Sequence, residues 1–171
     1  DNTEITVLAD DTLITRADIA AGRWDGAAFS IFQFNWASPA DGELVHMVGT
    51  FGNLQPRGGA YVAELRDLRQ ALQQDATAVL QATCRYRLGD ARCTVDVADF
   101  TEPLTVTAVA SQSQFTDSAR AEAADYFTEG EGVWLTGANA GLAFKVREFA
   151  GGVFELAAPM VYTIQVGDTG E

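Results

Sequence analysis

Two cysteines are the chain's only thiols, and both sit in CRYRLGDARC, Cys84 to Cys93, with a basic, turn-rich segment between them. Any thiolate metal or redox chemistry must be sited there. The C-x8-C spacing is longer than the C-x2-C to C-x4-C steps of zinc sites. Two thiolates supply half of a four-ligand zinc or iron-sulfur set, and the only histidine, His46, is remote in sequence. Three readings follow from these residues: two buried reduced cysteines, a local disulfide, or a reactive redox or metal-binding pair. Gly89-Asp90 lets the chain double back between the sulfurs. Arg85, Arg87 and Arg92 would favour thiolate over thiol, unless they simply pair with the carboxylates of an acidic protein.

Other chemistry has less to stand on. His46 lies between Val45 and Met47 in an expected strand, with no G-x-S-x-G serine to activate, so it reads as a hydrogen-bonded strand histidine. Asp96 with Asp99 is one of many carboxylate pairs that 24 acidic residues supply by chance. The GANAG loop, residues 137–141, has neither a following helix nor a Gly-Lys-Ser/Thr ending, so it reads as a hairpin turn rather than a phosphate cradle. No catalytic residue is assigned, and the chain reads as non-enzymatic.

Composition narrows the class. The 171 residues are 47% hydrophobic and carry a net charge of −13, with a single lysine, Lys145. Such a chain can bury a substantial core but lacks the basic surface that drives phosphate contacts, so specific nucleic-acid binding is not expected. No apolar run reaches the roughly 18 residues of a membrane span. Two cysteines do not make a disulfide scaffold, which fits folding in a reducing cytoplasm.

The elements that must position these residues read as mainly β with short helices. Ile5 to Leu8 predicts a short strand. Thr15 to Ala21 predicts a brief helix, with Thr15 and Asp18 as a capping-box variant and Gly22 as its stop. Phe29 to Trp36 predicts a half-buried strand whose aromatic stripe, Phe32, Phe34 and Trp36, faces a core. Leu44 to Thr50 and Tyr61 to Leu65 complete a β-meander around a loop at Pro56 to Gly59. Asp67 to Leu80 predicts one or two helices leading to Cys84. Beyond Asp96, strands are expected at Leu104 to Val109, Gly132 to Thr136, Leu142 to Phe149, Val153 to Leu156 and Tyr162 to Val166. Ser111 to Glu122 reads as a polar link, and the close spacing of the strands suggests a small β-barrel. The organisation expected is a β-rich subdomain over 1–80, a cysteine-bearing connector over 81–93 and a small barrel over 94–171.

CRYRLGDARCTVD, WLTGANAG and PMVYTIQVGD, in that order, resemble the conserved phage protein family of the siphophage and gene transfer agent tail hub. ADIAAGRWDGAAFSIFQFNWASP and GTFGNL resemble its front half, so the likeness covers nearly the whole chain. There is a more distant similarity to the tail-tip protein L of phage lambda, which has a similar four-cysteine layout. The resemblance implies a structural component of a virion tail hub or baseplate, assembled in the host bacterial cytoplasm. It would link the tail tube to the distal tip, form a homo-oligomeric ring and bind other tail proteins. Hydrolysis belongs to a separate cell-wall peptidase encoded beside this family. The resemblance also implies that Cys84 and Cys93 are the first two ligands of a [4Fe-4S] cluster completed by a second cysteine pair shortly after Gly167-Asp168. On that reading the chain is an internal fragment, metal-free as it stands. A lumen through which genome passes would favour inward-facing carboxylates, with Asp10, Asp11, Glu43, Glu129 and Glu131 as candidates.

Overall fold

The computed structural model describes residues 3–8, 14–57, 60–73 and 82–171. The chain divides into two compact units, Asp1–Val79 and Leu80–Glu171.

In the first unit, Thr15 caps a one-turn helix, α1 (Arg16–Ala20). Its hydroxyl oxygen accepts from the Asp18 amide at 3.1 Å and its O–H donates to the Asp18 carboxylate at 2.5 Å. Gly22 ends the helix at φ 70°, where only glycine is unstrained. Four antiparallel strands follow the expected meander: β1 (Thr3–Leu8), β2 (Ala28–Phe34), β3 (Glu43–Arg57) and β4 (Ala60–Arg66). Their order is β1-β4-β3-β2, which leaves β1 and β2 at the edges. The strand β3 runs through Pro56 to Arg57, where the sequence suggested a loop; Gly58 and Gly59 lie outside the described residues.

Two bulges shape β3. Ile31 faces Met47 while Phe32 faces Val45, so His46 is the extra residue, and its imidazole meets the Gln33 carboxamide oxygen at 3.1 Å. That fits the strand-histidine reading. The second bulge lies between Phe51 and Leu54, which face Leu65 and Ala63. The glycines of GTFGNL have steric causes: a Cβ on Gly49 would sit 2.1 Å from the Arg66 carbonyl oxygen, and one on Gly52 2.4 Å from the Arg66 guanidinium. Arg66 pairs with Glu64 at 2.9 Å and, chiefly through that hydrogen bond, holds the Glu64 carboxyl below its ordinary pKa. The apolar side chains of Tyr61, Ala63 and Leu65 are buried on β4.

After β4, Asp67 caps α2 (Leu68–Leu72) by accepting from the Arg69 amide at 2.9 Å. The rest of the helical segment expected up to Leu80 lies outside the described residues.

In the second unit the expected barrel takes a specific form. Five strands, β6 (Ala108–Ser111), β7 (Gln114–Thr116), β10 (Val153–Leu156), β9 (Ala143–Ala150) and β8 (Glu131–Val133), pair in that order. The short strand β5 (Leu104–Thr105), on the same segment as β6, pairs with β11 (Thr169–Gly170). Gly170 in turn bridges Trp134, and Val133 donates to the Glu171 carbonyl at 2.7 Å. Thus one segment, residues 104–111, serves β11 with its first half and β7 with its second, and the hydrogen bonding returns to β8. Closure of this kind leaves no long edge.

Two expectations fail in this unit. The supposed polar link 111–122 contains β7, whose Phe115 is fully buried. One apolar residue among SQSQFTDS gives no periodic signal, yet its ring meets those of Trp134, Phe144 and Phe154 at 5.3, 6.4 and 5.2 Å. Tyr162 to Val166 is not a strand. Instead Asn139 holds it, donating to the Tyr162 carbonyl at 3.0 Å and accepting from the Tyr162 amide at 3.2 Å. The GANAG segment joins β8 to β9, with the Trp134 amide donating to the Leu142 carbonyl and the Gly141 amide to the Trp134 carbonyl. Gly137, at φ 79°, packs so closely on buried Asp168 that a Cβ would lie 2.3 Å from its carboxylate. The family-like blocks WLTGANAG and QVGD therefore depend on each other.

Beneath the barrel seam, Asp117, 2% exposed, accepts from the Thr105 and Ala119 amides, each at 3.0 Å. Arg120 lies 3.7 Å from it and bonds Glu102 at 3.1 Å, Glu122 at 3.2 Å and the Pro103 carbonyl. Burial opposes the charge on Arg120, but its hydrogen bonds to Glu102 and Glu122 outweigh that and raise its pKa. Replacing Arg120 with alanine leaves three carboxylates without their cation and should cost about 3 kcal/mol at neutral pH. Chemical denaturation at neutral pH checks this, with Arg120→Lys, which keeps the charge, recovering part of the loss; an Arg120→Ala variant as stable as the wild type would contradict it.

Candidate functional site

The cysteine loop is an irregular, turn-rich segment on the surface. Asp90 organises it: its carboxylate accepts from the amides of Arg92 at 2.8 Å and Cys93 at 2.7 Å. Gly89, at φ 80°, lies against Val97, where a Cβ would come within 2.1 Å of the valine methyl. The chain then enters a 3-10 turn, Val97–Phe100, capped by Asp96, whose carboxylate accepts from the Ala98 amide at 3.0 Å. Asp96 is thereby used in turn-making.

Cys84 is exposed, Cys93 is half-buried, and both are free thiols. The buried-thiol and disulfide readings both give way. The arginines are engaged with other groups: Arg85 and Arg92 stack on Tyr86 at 5.6 and 5.7 Å, and Arg92 also donates to its hydroxyl at 3.4 Å. That hydrogen bond to Tyr86 raises the Arg92 pKa. Arg87 pairs with Glu131 at 2.9 Å, both side chains largely in water. The loop charge is thus spent on an aromatic ring and a surface carboxylate.

A [4Fe-4S] cluster needs four thiolates or equivalents. Among the described residues no group of three or more His, Cys, Asp or Glu side chains is gathered to hold a metal. Two thiols do not fit that cluster, and no chemistry is assigned to it here.

The larger surface feature is one the sequence reading placed in a core. The strand β2 is exposed along almost its whole length, with Phe32 44%, Phe34 53% and Trp36 beyond it 85% exposed. The register puts Phe32 opposite Val45 and Ser30 opposite Val48, both exposed valines on β3. Phe32 and Phe34 lean together at 6.3 Å. This is an apolar sheet face open to water, larger in kind than the scattered apolar residues of ordinary surfaces. The available signal was charge: no charged residue stands between Asp25 and Asp41 in a chain of net charge −13.

Of the acidic candidates, Glu43 is exposed at the start of β3, and Glu129 and Glu131 are bound to Lys145 at 2.6 Å and Arg87 at 2.9 Å. Asp10 and Asp11 lie outside the described residues. The cysteine geometry predicts that a thiol reagent modifies both cysteines of the native chain, Cys84 faster than Cys93. Equal rates, or protection of Cys84, would contradict the exposure described.

Three comparisons bear on identity. The model of the family described as baseplate hub protein, N-terminal attachment domain, matches residues 1–96. No individual curated protein sequence matches. Among solved structures, a chain in the virion of a native gene transfer agent particle superposes with a TM-score of 0.77 at 34% identity, over 99% of this chain and 61% of that one. The chain therefore spans about three fifths of the length of that relative. With more than half of its residues under the family model, the chain belongs to the baseplate hub protein family, whose N-terminal attachment domain it carries.

Proposed function

We propose that this chain is a non-enzymatic structural part of a tail baseplate hub, located in the virion tail and joining the tail tube to the distal tip. Its partners are other tail proteins and further copies of itself arranged in a ring around the path of the genome. The observation that carries the reading is the exposed, apolar β2–β3 face, whose strand β2 carries no charge, within the unit that matches an attachment domain. A catalytic protein concentrates polar groups in a concave site; here the most unusual surface is an open, apolar sheet face fit for contact with protein.

Membrane attachment gains nothing from the helices, since no helix among the described residues is long and apolar enough to cross a bilayer. The acidity fits a hub that must let nucleic acid through: each basic contact to phosphate would add a salt-dependent brake, whereas an exposed carboxylate such as Glu43 turned inward would repel it. Assembly takes place in the host cytoplasm, where the two thiols stay reduced.

An epitope tag on the chain, followed by immunogold electron microscopy of purified particles, should label the end of the tail distal to the head. Particles made without the chain should carry tails that lack the tip. Label on the capsid, or particles of normal morphology and infectivity without the chain, would overturn the assignment.

A further inference from the structure

We infer that copies of this chain join head to tail through their first units, the β2 edge of one copy adding to the β1 edge of the next. This deepens the proposed hub function and rests on it only for the setting, since the argument comes from the sheet. Among the described residues no strand pairs with the outer edge of β2 or of β1. An open edge is a row of unsatisfied amides and carbonyls, and monomeric proteins guard such edges with lysine, proline or an inward charge. The strand β2, AFSIFQF, has none of these, and it is exposed. Its protection has to come from another strand.

The topology selects which strand. All four strands are antiparallel neighbours in the order β1-β4-β3-β2, so the two edges run in opposite directions. A second copy brought up in the same orientation therefore presents β1 antiparallel to β2. Repetition preserves the pairing and keeps the same face of every sheet on the same side. A two-fold pairing of β2 with β2 would also be antiparallel, but it leaves both β1 edges open. Head-to-tail addition covers both edges of every copy once the arrangement closes, and twisted sheets make closure into a ring natural. Across the junction Phe32 and Phe34 are neighbours of the strand carrying Glu4 and Thr6, which is short, exposed at those residues and free of proline. Like-charged copies of net charge −13 repel, and the uncharged 26–40 stretch gives the β2 side of the junction no charge of its own, while the β1 side carries Glu4.

The test is complementation in solution. By size-exclusion chromatography with light scattering, the wild-type chain should form a discrete species of three or more copies. The Phe32→Glu/Phe34→Glu variant, with β2 blocked, should be monomeric, and so should Thr6→Glu, with β1 blocked. Mixed in equal amounts, they should give a two-chain species, because one intact β2 and one intact β1 remain to pair. Leu72→Glu, at another exposed apolar position, should leave assembly unchanged. Circular dichroism confirms that each variant folds. A monomeric wild type overturns the inference, as does assembly of Thr6→Glu by itself, which would indicate β2–β2 pairing. A Leu72→Glu variant that falls apart as readily also overturns it, since charge alone would then account for the effect. A monomer in solution would leave the tail-tip label of the hub assignment untouched, so the two can fail separately.

Discussion

Phe115 is the point on which the second unit converges. Its ring meets Trp134, Phe144 and Phe154, residues from three other strands or bridges, and it is fully buried. Phe127 and Phe149 extend the cluster, in contact with each other at 4.9 Å and with Phe154. Because the hydrogen-bonded circuit closes through strands of two or three residues, the ladders alone hold each strand weakly. The aromatic interior is what keeps the seven strands, β5 to β11, in register. The polar groups at the seam then act as fasteners: Asp117 ties the end of β7 to β5, Asn139 clamps the strandless 162 region, and Asp168 fills the hollow left by Gly137.

The two units solve the edge problem in opposite ways. The second closes its own sheet. Among the described residues the first shows four strands, with its apolar face exposed and no strand on either edge, and its buried side chains are concentrated on β4.

Most of the fold was legible in the sequence where periodicity was long or punctuation explicit. The meander, the Thr15 cap, the GANAG hairpin and strand β10 needed only alternation, capping chemistry and glycine. What was illegible has physical reasons. Phe115 sits in a three-residue strand, too short to show a period. The bulge at His46 changes the pairing across β2 and β3 without any glycine or proline to mark it. The Tyr162 segment alternates like a strand but finds its partners in a side chain. The aromatic stripe was read correctly as a face for Phe32 and Phe34, while Trp36 lies beyond the strand, and wrongly as a buried one, because periodicity reports which side chains share a face and not what covers it. For the cysteines, spacing showed that a turn must lie between them, but only the coordinates show their exposure and the engagement of the nearby arginines with Tyr86 and Glu131.

The bulges of β3 bear on the life of the chain before it is built into a particle. Newly made copies accumulate in a crowded cell with an uncharged phenylalanine-rich strand in the open, the composition that stacks into cross-β fibrils when sheets are flat. Two extra residues in the adjacent strand coil the sheet, and strongly coiled sheets cannot lie on one another in endless register. The irregularity thus works against flat stacking of exposed strands through backbone geometry rather than through charge.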